Sequence, residues 1–278
     1  MASIHEDSSH DRADASEAVE ARTPGSPTRS RLELDTGECD PIRSLAFHRL
    51  GQNDRATTRR ADRFDKAFRA PSGPARVTIT CERDRAIVEL ESHVDDHEAL
   101  RAAVPGLLGL EDHGHALFDP PAHADPKRVL RDARLRAKSL RLVRVPWLYE
   151  LLVLIVIQQR VAHPDAMASH RWLIRHRGSP YSEGDPGLVL FPSPLVLSRL
   201  APEVFREAGI DRERAERLRT VGRIARHLPR IARLPFDEVR ATLARVKCLG
   251  PWTMPDTQAP HPRGLLFSAA LIGDDPEA

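Results

Sequence analysis

Seven consecutive apolar residues, Leu151–Ile157, with Trp147 and Leu148 just before them, constrain this chain more than any other stretch. A bilayer span needs roughly 20 such residues, so the run is too short to cross a membrane and must be buried in protein. Pro146 ahead of it and Gln158-Gln159 behind it bound a helix. Its apolar side chains fall on most faces, so the helix is predicted to be central, covered by other elements on several sides. A chain of 278 residues is long enough to cover it, as one large domain or two small ones.

The rest of the chain divides by composition. Residues 1–35 are Ser, Asp, Glu, Ala and Pro with few large apolar side chains, and are expected to form a disordered tail, bounded at residue 40. Residues 41–120 read as a small α/β domain. Pro41 to Ala70 shows no clear period and stays ambiguous up to a break at Pro71-Ser72-Gly73-Pro74. Beyond it Val77, Ile79 and Cys81 alternate with polar residues, and Ile87, Val88 and Leu90 follow a Glu-Arg-Asp-Arg turn, which predicts a β-hairpin. His97 to Val104 reads as a short helix stopped by Pro105-Gly106.

Residues 121–253 read as helical almost throughout. A basic helix opens at Asp125-Pro126 and runs to about Ser139, and further helices are predicted over Pro164–His176, Pro194–Leu200 and Pro202–Ala208, with a loop at Gly178–Gly187. Asp211 is placed as the N-cap of a helix that turns Ala215, Leu218, Val221, Ala225 and Leu228 inward and Arg214, Arg217, Arg223 and Arg226 outward, with Pro229 as its end. Asp237 to Val246 is the last clear helix. Residues 254–278, broken by Pro255, Pro260 and Pro262, form an irregular tail.

Charge follows the same division. Although 42 Lys plus Arg nearly balance 40 Asp plus Glu, residues 126–250 carry 25 basic against 12 acidic side chains, a surplus of 13. A surplus concentrated on a helical region is what a nucleic-acid partner requires, although the arginines of the Arg212–Arg226 helix alternate with Glu213 and Glu216 as a merely solvated face would. Cys39, Cys81 and Cys248 are too few and too scattered for a disulfide framework or a four-thiolate iron–sulfur cluster. Together with the charged first thirty residues they predict a cytoplasmic protein, nucleoid-associated in a bacterium. His113, His115 and His123 lack the spacing of a zinc site, and no metal is expected.

Four segments in order carry a resemblance. Trp147–Val161, closing on Gln158-Gln159-Arg160-Val161, resembles the apolar helix of the alkyladenine DNA glycosylase II family. Phe191-Pro192-Ser193-Pro194 and, beyond Glu203, Ala208-Gly209-Ile210 are similar to that family's next two signatures, and Lys247-Cys248-Leu249-Gly250-Pro251-Trp252-Thr253 resembles its helix-hairpin-helix. The resemblance implies a mostly α fold with a small α/β N-terminal domain, of helix-hairpin-helix glycosylase architecture incomplete at the C-terminus. It implies a monofunctional enzyme that excises alkylated bases such as 3-methyladenine by hydrolysing the N-glycosidic bond, without a cofactor. Its partner would be double-stranded DNA with alkylated bases, with no membrane and the chain a monomer. Lys247, Cys248, Leu249, Gly250 and Thr253 would hold a phosphate on backbone N–H groups, and Trp252 would face a flipped, cationic base. Read alone, the hairpin is equally a packing corner, and the alternative for Trp252 is a residue filling the core between helices.

The sequence departs from the family at this end. Cys248 stands where the hairpin takes its first glycine. Gly273-Asp274-Asp275-Pro276-Glu277-Ala278 resembles the turn that precedes the family's catalytic aspartate, but no Val-Gly-Asp-Tyr-His-like string is found. Asp274 and Asp275 are therefore weak catalytic candidates, and the expected activity is impaired or absent. A non-catalytic module that binds damaged DNA, and a helical protein unrelated to DNA, remain open as alternatives.

Overall fold

The computed structural model of the chain describes residues 27–50, 53–112, 138–182, 185–232, 234 and 236–246. A five-stranded sheet comes first, with strand order β1-β5-β4-β3-β2: β1 Thr28–Asp35, β2 Thr57–Arg59, β3 Arg63–Ala70, β4 Gly73–Glu82 and β5 Arg85–Ser92. Every pairing in it is antiparallel. The N-terminal region thus mixes strands with short helices as expected, with an antiparallel sheet, because strands joined by tight turns pair antiparallel and need no crossover helix. The β4–β5 hairpin matches its prediction, and the Pro71-to-Pro74 break is the two-residue turn between β3 and β4. Ser72 closes that turn, its N–H donating to Asp96 Oδ2 at 2.8 Å.

β1 corrects the reading of residues 1–40 as a tail. Its side chains alternate, with Ser30, Leu32 and Leu34 half-buried and Arg29, Arg31, Glu33 and Asp35 exposed. A strand with only two leucines cannot stand alone, but the β4–β5 hairpin offers a ready ladder, along which Thr28 to Asp35 pairs in unbroken register with Ser92 to Arg85. The ambiguous region beyond it holds helix α1, Pro41–Ser44, a 3₁₀ turn at Leu45–His48, and strands β2 and β3. Helix α2, Val94–Ala102, begins three residues before its predicted start, and Pro105 opens the short α3, Val104–Leu107, where a stop was expected.

The helical part is organised around α4, Leu148–Ile157, all ten of whose residues are buried. Trp147, just ahead of it, is buried against Phe64 and Phe68 of β3, so the central helix packs directly on the sheet. Helices α5, His163–Arg177, α6, Pro194–Arg199, α7, Pro202–Glu207, and α8, Arg212–Ile224, cover the remaining faces close to their predicted positions. Pro229 does not end α8, which gives way to a 3₁₀ turn at Ala225–His227, and Pro229 instead lies in the first turn of α9, Leu228–Ile231. Helix α10, Phe236–Ala244, follows. The predicted loop at Gly178–Gly187 is corrected to a hairpin of β6, Ser179–Ser182, and β7, Asp185–Leu190. Its Leu188 and Leu190 bury against Ala67 of β3, and the Val189 N–H donates to the Arg55 carbonyl at 2.8 Å. One core runs through sheet and helices, from Val77 and Val88 to Leu218 and Leu243. The basic helix expected from Asp125 falls mostly outside the described residues, and Ser139, its expected end, is not helical.

Candidate nucleic-acid interface

Three segments with nothing in common by position, 147–161, 191–194 and 208–210, meet in space. Tyr149 of α4 donates its hydroxyl proton to the Pro192 carbonyl at 2.9 Å, and its ring meets Phe191 edge-on at 6.3 Å. Burial pushes the Tyr149 pKa up, which keeps that O–H protonated and donating. Phe191 is fully buried and stacks on His170 of α5 at 5.1 Å.

Two of these segments, 147–161 and 208–210, converge on one arginine. Arg214 in the first turn of α8 is buried, which corrects its outward placement. Its Nη1 donates to the Ile157 carbonyl at 3.0 Å, its Nη2 to the Gly209 carbonyl at 3.2 Å and its Nε to Asp211 Oδ2 at 2.6 Å. Two of these acceptors lie at helix C-termini, where carbonyls lack intrahelical partners and the dipole is negative. A guanidinium, always charged and planar, satisfies both at once. Gly209, at φ +75, supplies the left-handed turn that brings its carbonyl round. As predicted, Asp211 caps α8, accepting from the Arg214 N–H at 2.9 Å. One turn on, Arg217 is half-buried and donates to Gln159 Oε1 and to Glu213, whereas Arg223 and Arg226 are exposed as expected.

The loop after α4 is therefore clamped from below by α8. Its next residue, Arg160, has φ +54, and its side chain is 79% exposed. Sequence reasoning placed Gln158-Gln159-Arg160 in a signature without seeing this clamp. Its only sequence trace was the short spacing between Asp211, Arg214 and Arg217.

At the other end of α4 lies a buried ionic cluster. Lys66 of β3 and Glu150 are paired at 3.0 Å with side chains 6% and 8% exposed, and the Lys66 ammonium lies over the Trp147 ring at 5.3 Å. Glu150 also accepts from the Arg69 N–H at 3.2 Å, and Arg69 donates onward to the Phe191 carbonyl at 2.7 Å and Ser179 Oγ at 2.9 Å. His48, Asp54 and His170 line a small cavity beside this pair. Burial, reinforced by Lys66, depresses His48 to about 3. Burial depresses His170 to about 4, with Asp54 opposing and Lys66 and Arg171 adding to the effect. Both imidazoles are neutral at physiological pH, and the cluster acts as a joint between sheet and helices.

Lys247, Cys248, Leu249, Gly250, Trp252 and Thr253, and the acidic pair Asp274 and Asp275, lie outside the described residues, as do His113, His115 and His123. The approach to the hairpin is described as far as Val246: Val239 and Leu243 of α10 are fully buried, and Val246 packs on the core. Trp147 is buried, and Trp172 is half-buried and stacked on His176 at 4.2 Å. Among the described residues no group of three or more His, Cys, Asp or Glu could hold a metal ion, and no helix is long and apolar enough to cross a membrane.

Among solved structures the chain is similar to the 3-methyladenine DNA glycosylase from Archaeoglobus fulgidus, with a TM-score of 0.67 at 20% identity over 87% of this chain and 79% of that one. The fold is that of a DNA glycosylase. A second similar structure is MBOgg1 in complex with a low-affinity DNA ligand, with a TM-score of 0.58 at 16% identity over 88% of this chain and 80% of that one. No protein-family model matches the sequence, and no curated protein matches it. The glycosylase fold agrees with the resemblance carried by the four segments, three of which the packing around Tyr149, Phe191 and Arg214 brings together.

Proposed function

We propose that this chain acts in base-excision repair, engaging double-stranded DNA and hydrolysing the N-glycosidic bond of alkylated bases such as 3-methyladenine. The observation that carries the reading is the convergence at α4. Segments matching three signatures of one glycosylase family are far apart in sequence, yet Arg214 and Phe191 join them in a fold shared with a 3-methyladenine glycosylase. Fold alone does not set chemistry; the matching segments add the choice of an alkylated base. Lys247 to Thr253 would hold the backbone beside the lesion, and Trp252 would face the extruded cationic base.

Asp274 and Asp275 are the weak candidates for a catalytic carboxylate, and slow base release is part of this reading. The test pairs a gel shift on methylated duplex DNA with measurement of free 3-methyladenine. Binding with slow release supports this reading. Binding with no release makes the chain a damaged-DNA-binding module, and release at an enzyme-like rate removes the impairment. Absence of binding at low salt overturns the reading altogether.

A further inference from the structure

Every side chain around the small cavity beside the Lys66–Glu150 pair is at least nine-tenths buried. The cavity's volume is about 20 Å³. One water needs roughly 10–15 Å³ on the same measure, which leaves room for one water and little else. His170 of α5 lines this space with its ring stacked on Phe191, and its Nδ1 has no hydrogen-bond partner among the described residues. A buried polar atom in that position is rare in native proteins, because folding takes away its bonds to solvent and returns none.

The lining decides what such a space takes. Two carboxylates, Asp54 and Glu150, stand against one ammonium, Lys66, and both imidazoles are neutral, so a small anion is repelled. A cation finds the acceptors engaged: Asp54 accepts from the Leu50 and Ala56 N–H groups at 3.0 and 2.9 Å, and Glu150 from Lys66 and the Arg69 N–H. An apolar guest would leave buried polar groups facing nothing they can bond. Water fits, since it both donates and accepts. Lys66 has an N–H to give, its contact with Thr57 Oγ1 being stretched to 3.5 Å, and each carboxylate oxygen keeps a second lone pair. We infer that one internal water occupies this cavity, hydrogen-bonded to His170 Nδ1 and to the Lys66–Glu150 pair. It carries the polar network of the joint from β3 and α4 across to α5, and it does not depend on the proposed DNA partner.

The test uses the full chain with isotope-labelled histidine and follows magnetisation transfer from water to the ring protons of His170 and His48, both of which line the cavity. A water held inside the fold tumbles with the protein, so both rings should receive direct transfer, whereas passing surface water gives next to none. His170→Phe keeps a ring against Phe191 and removes Nδ1, and in that variant the transfer to His48 should fall several-fold. No transfer to either ring in the wild type, or an unchanged transfer to His48 in His170→Phe, overturns the inference. A crystal structure of the wild-type chain decides independently of any variant. A water peak roughly 2.7–3.2 Å from His170 Nδ1 is expected; a protein group seated there, or a cavity with no peak, overturns the assignment.

Discussion

Glu150 is the residue on which most depends and the one least visible in the sequence. It stands as a lone acid at the start of an apolar helix, where an exposed side chain would be the ordinary reading, yet it is buried with Lys66 and the Arg69 amide as partners. Replacing it by alanine leaves an ammonium buried without its counter-charge, which costs about 3–5 kcal/mol. Urea denaturation should show that loss for Glu150→Ala, and a much smaller one for Lys66→Met combined with Glu150→Leu, since removing both charges spares their desolvation. Arg214 makes the same point about legibility. Its position beside the Asp211 cap was readable, but helical periodicity turned it outward, because periodicity knows nothing of two carbonyls brought from other helices to meet it.

At the scale of elements, α6 crosses α8 closely at Gly222. A Cβ added at Gly222 of α8 would lie 2.7 Å from the Pro194 carbonyl oxygen and 2.9 Å from the Ser198 nitrogen, both backbone atoms that cannot rotate away. Gly222→Ala therefore has to push α6 outward, and thermal unfolding should register a destabilisation of about 1–3 kcal/mol. Elements with strong periodicity or caps, such as α4, α8 and the β4–β5 hairpin, were legible in advance. β1 and the β6–β7 hairpin were not. β1 has too few apolar residues to announce a strand and the second hairpin opens on Gly178-Ser179-Pro180, which reads as a loop; both exist because an already formed neighbour offers hydrogen bonds and a surface: β5 for β1, and β3 with Arg55 for β7. The candidate site divides in the same way. Its segments could be picked out by motif, whereas the clamp beneath Arg160 is made of contacts between them.

For the whole molecule, the two neutral imidazoles His48 and His170 tie stability to pH. Unfolded histidine titrates near 6.5, whereas in the fold these two are held at about 3 and about 4. Above the unfolded value neither state takes up a proton and stability is unaffected. As pH falls below it the unfolded chain gains protons that the folded one refuses, so stability declines from about 6.5 down to those depressed values. Denaturation midpoints measured from pH 7 to 4 should follow that decline, and His48→Gln should make it shallower, leaving the share of His170. The joint at which both histidines sit has a mechanical consequence as well. Trp147, Glu150 and Arg69 stitch β3 to α4 and to the segment at Phe191, and one apolar core passes beneath them. Among the described residues such a seam leaves no hinge between sheet and helices, so on the proposed reading the bending and opening of a duplex would fall to the DNA.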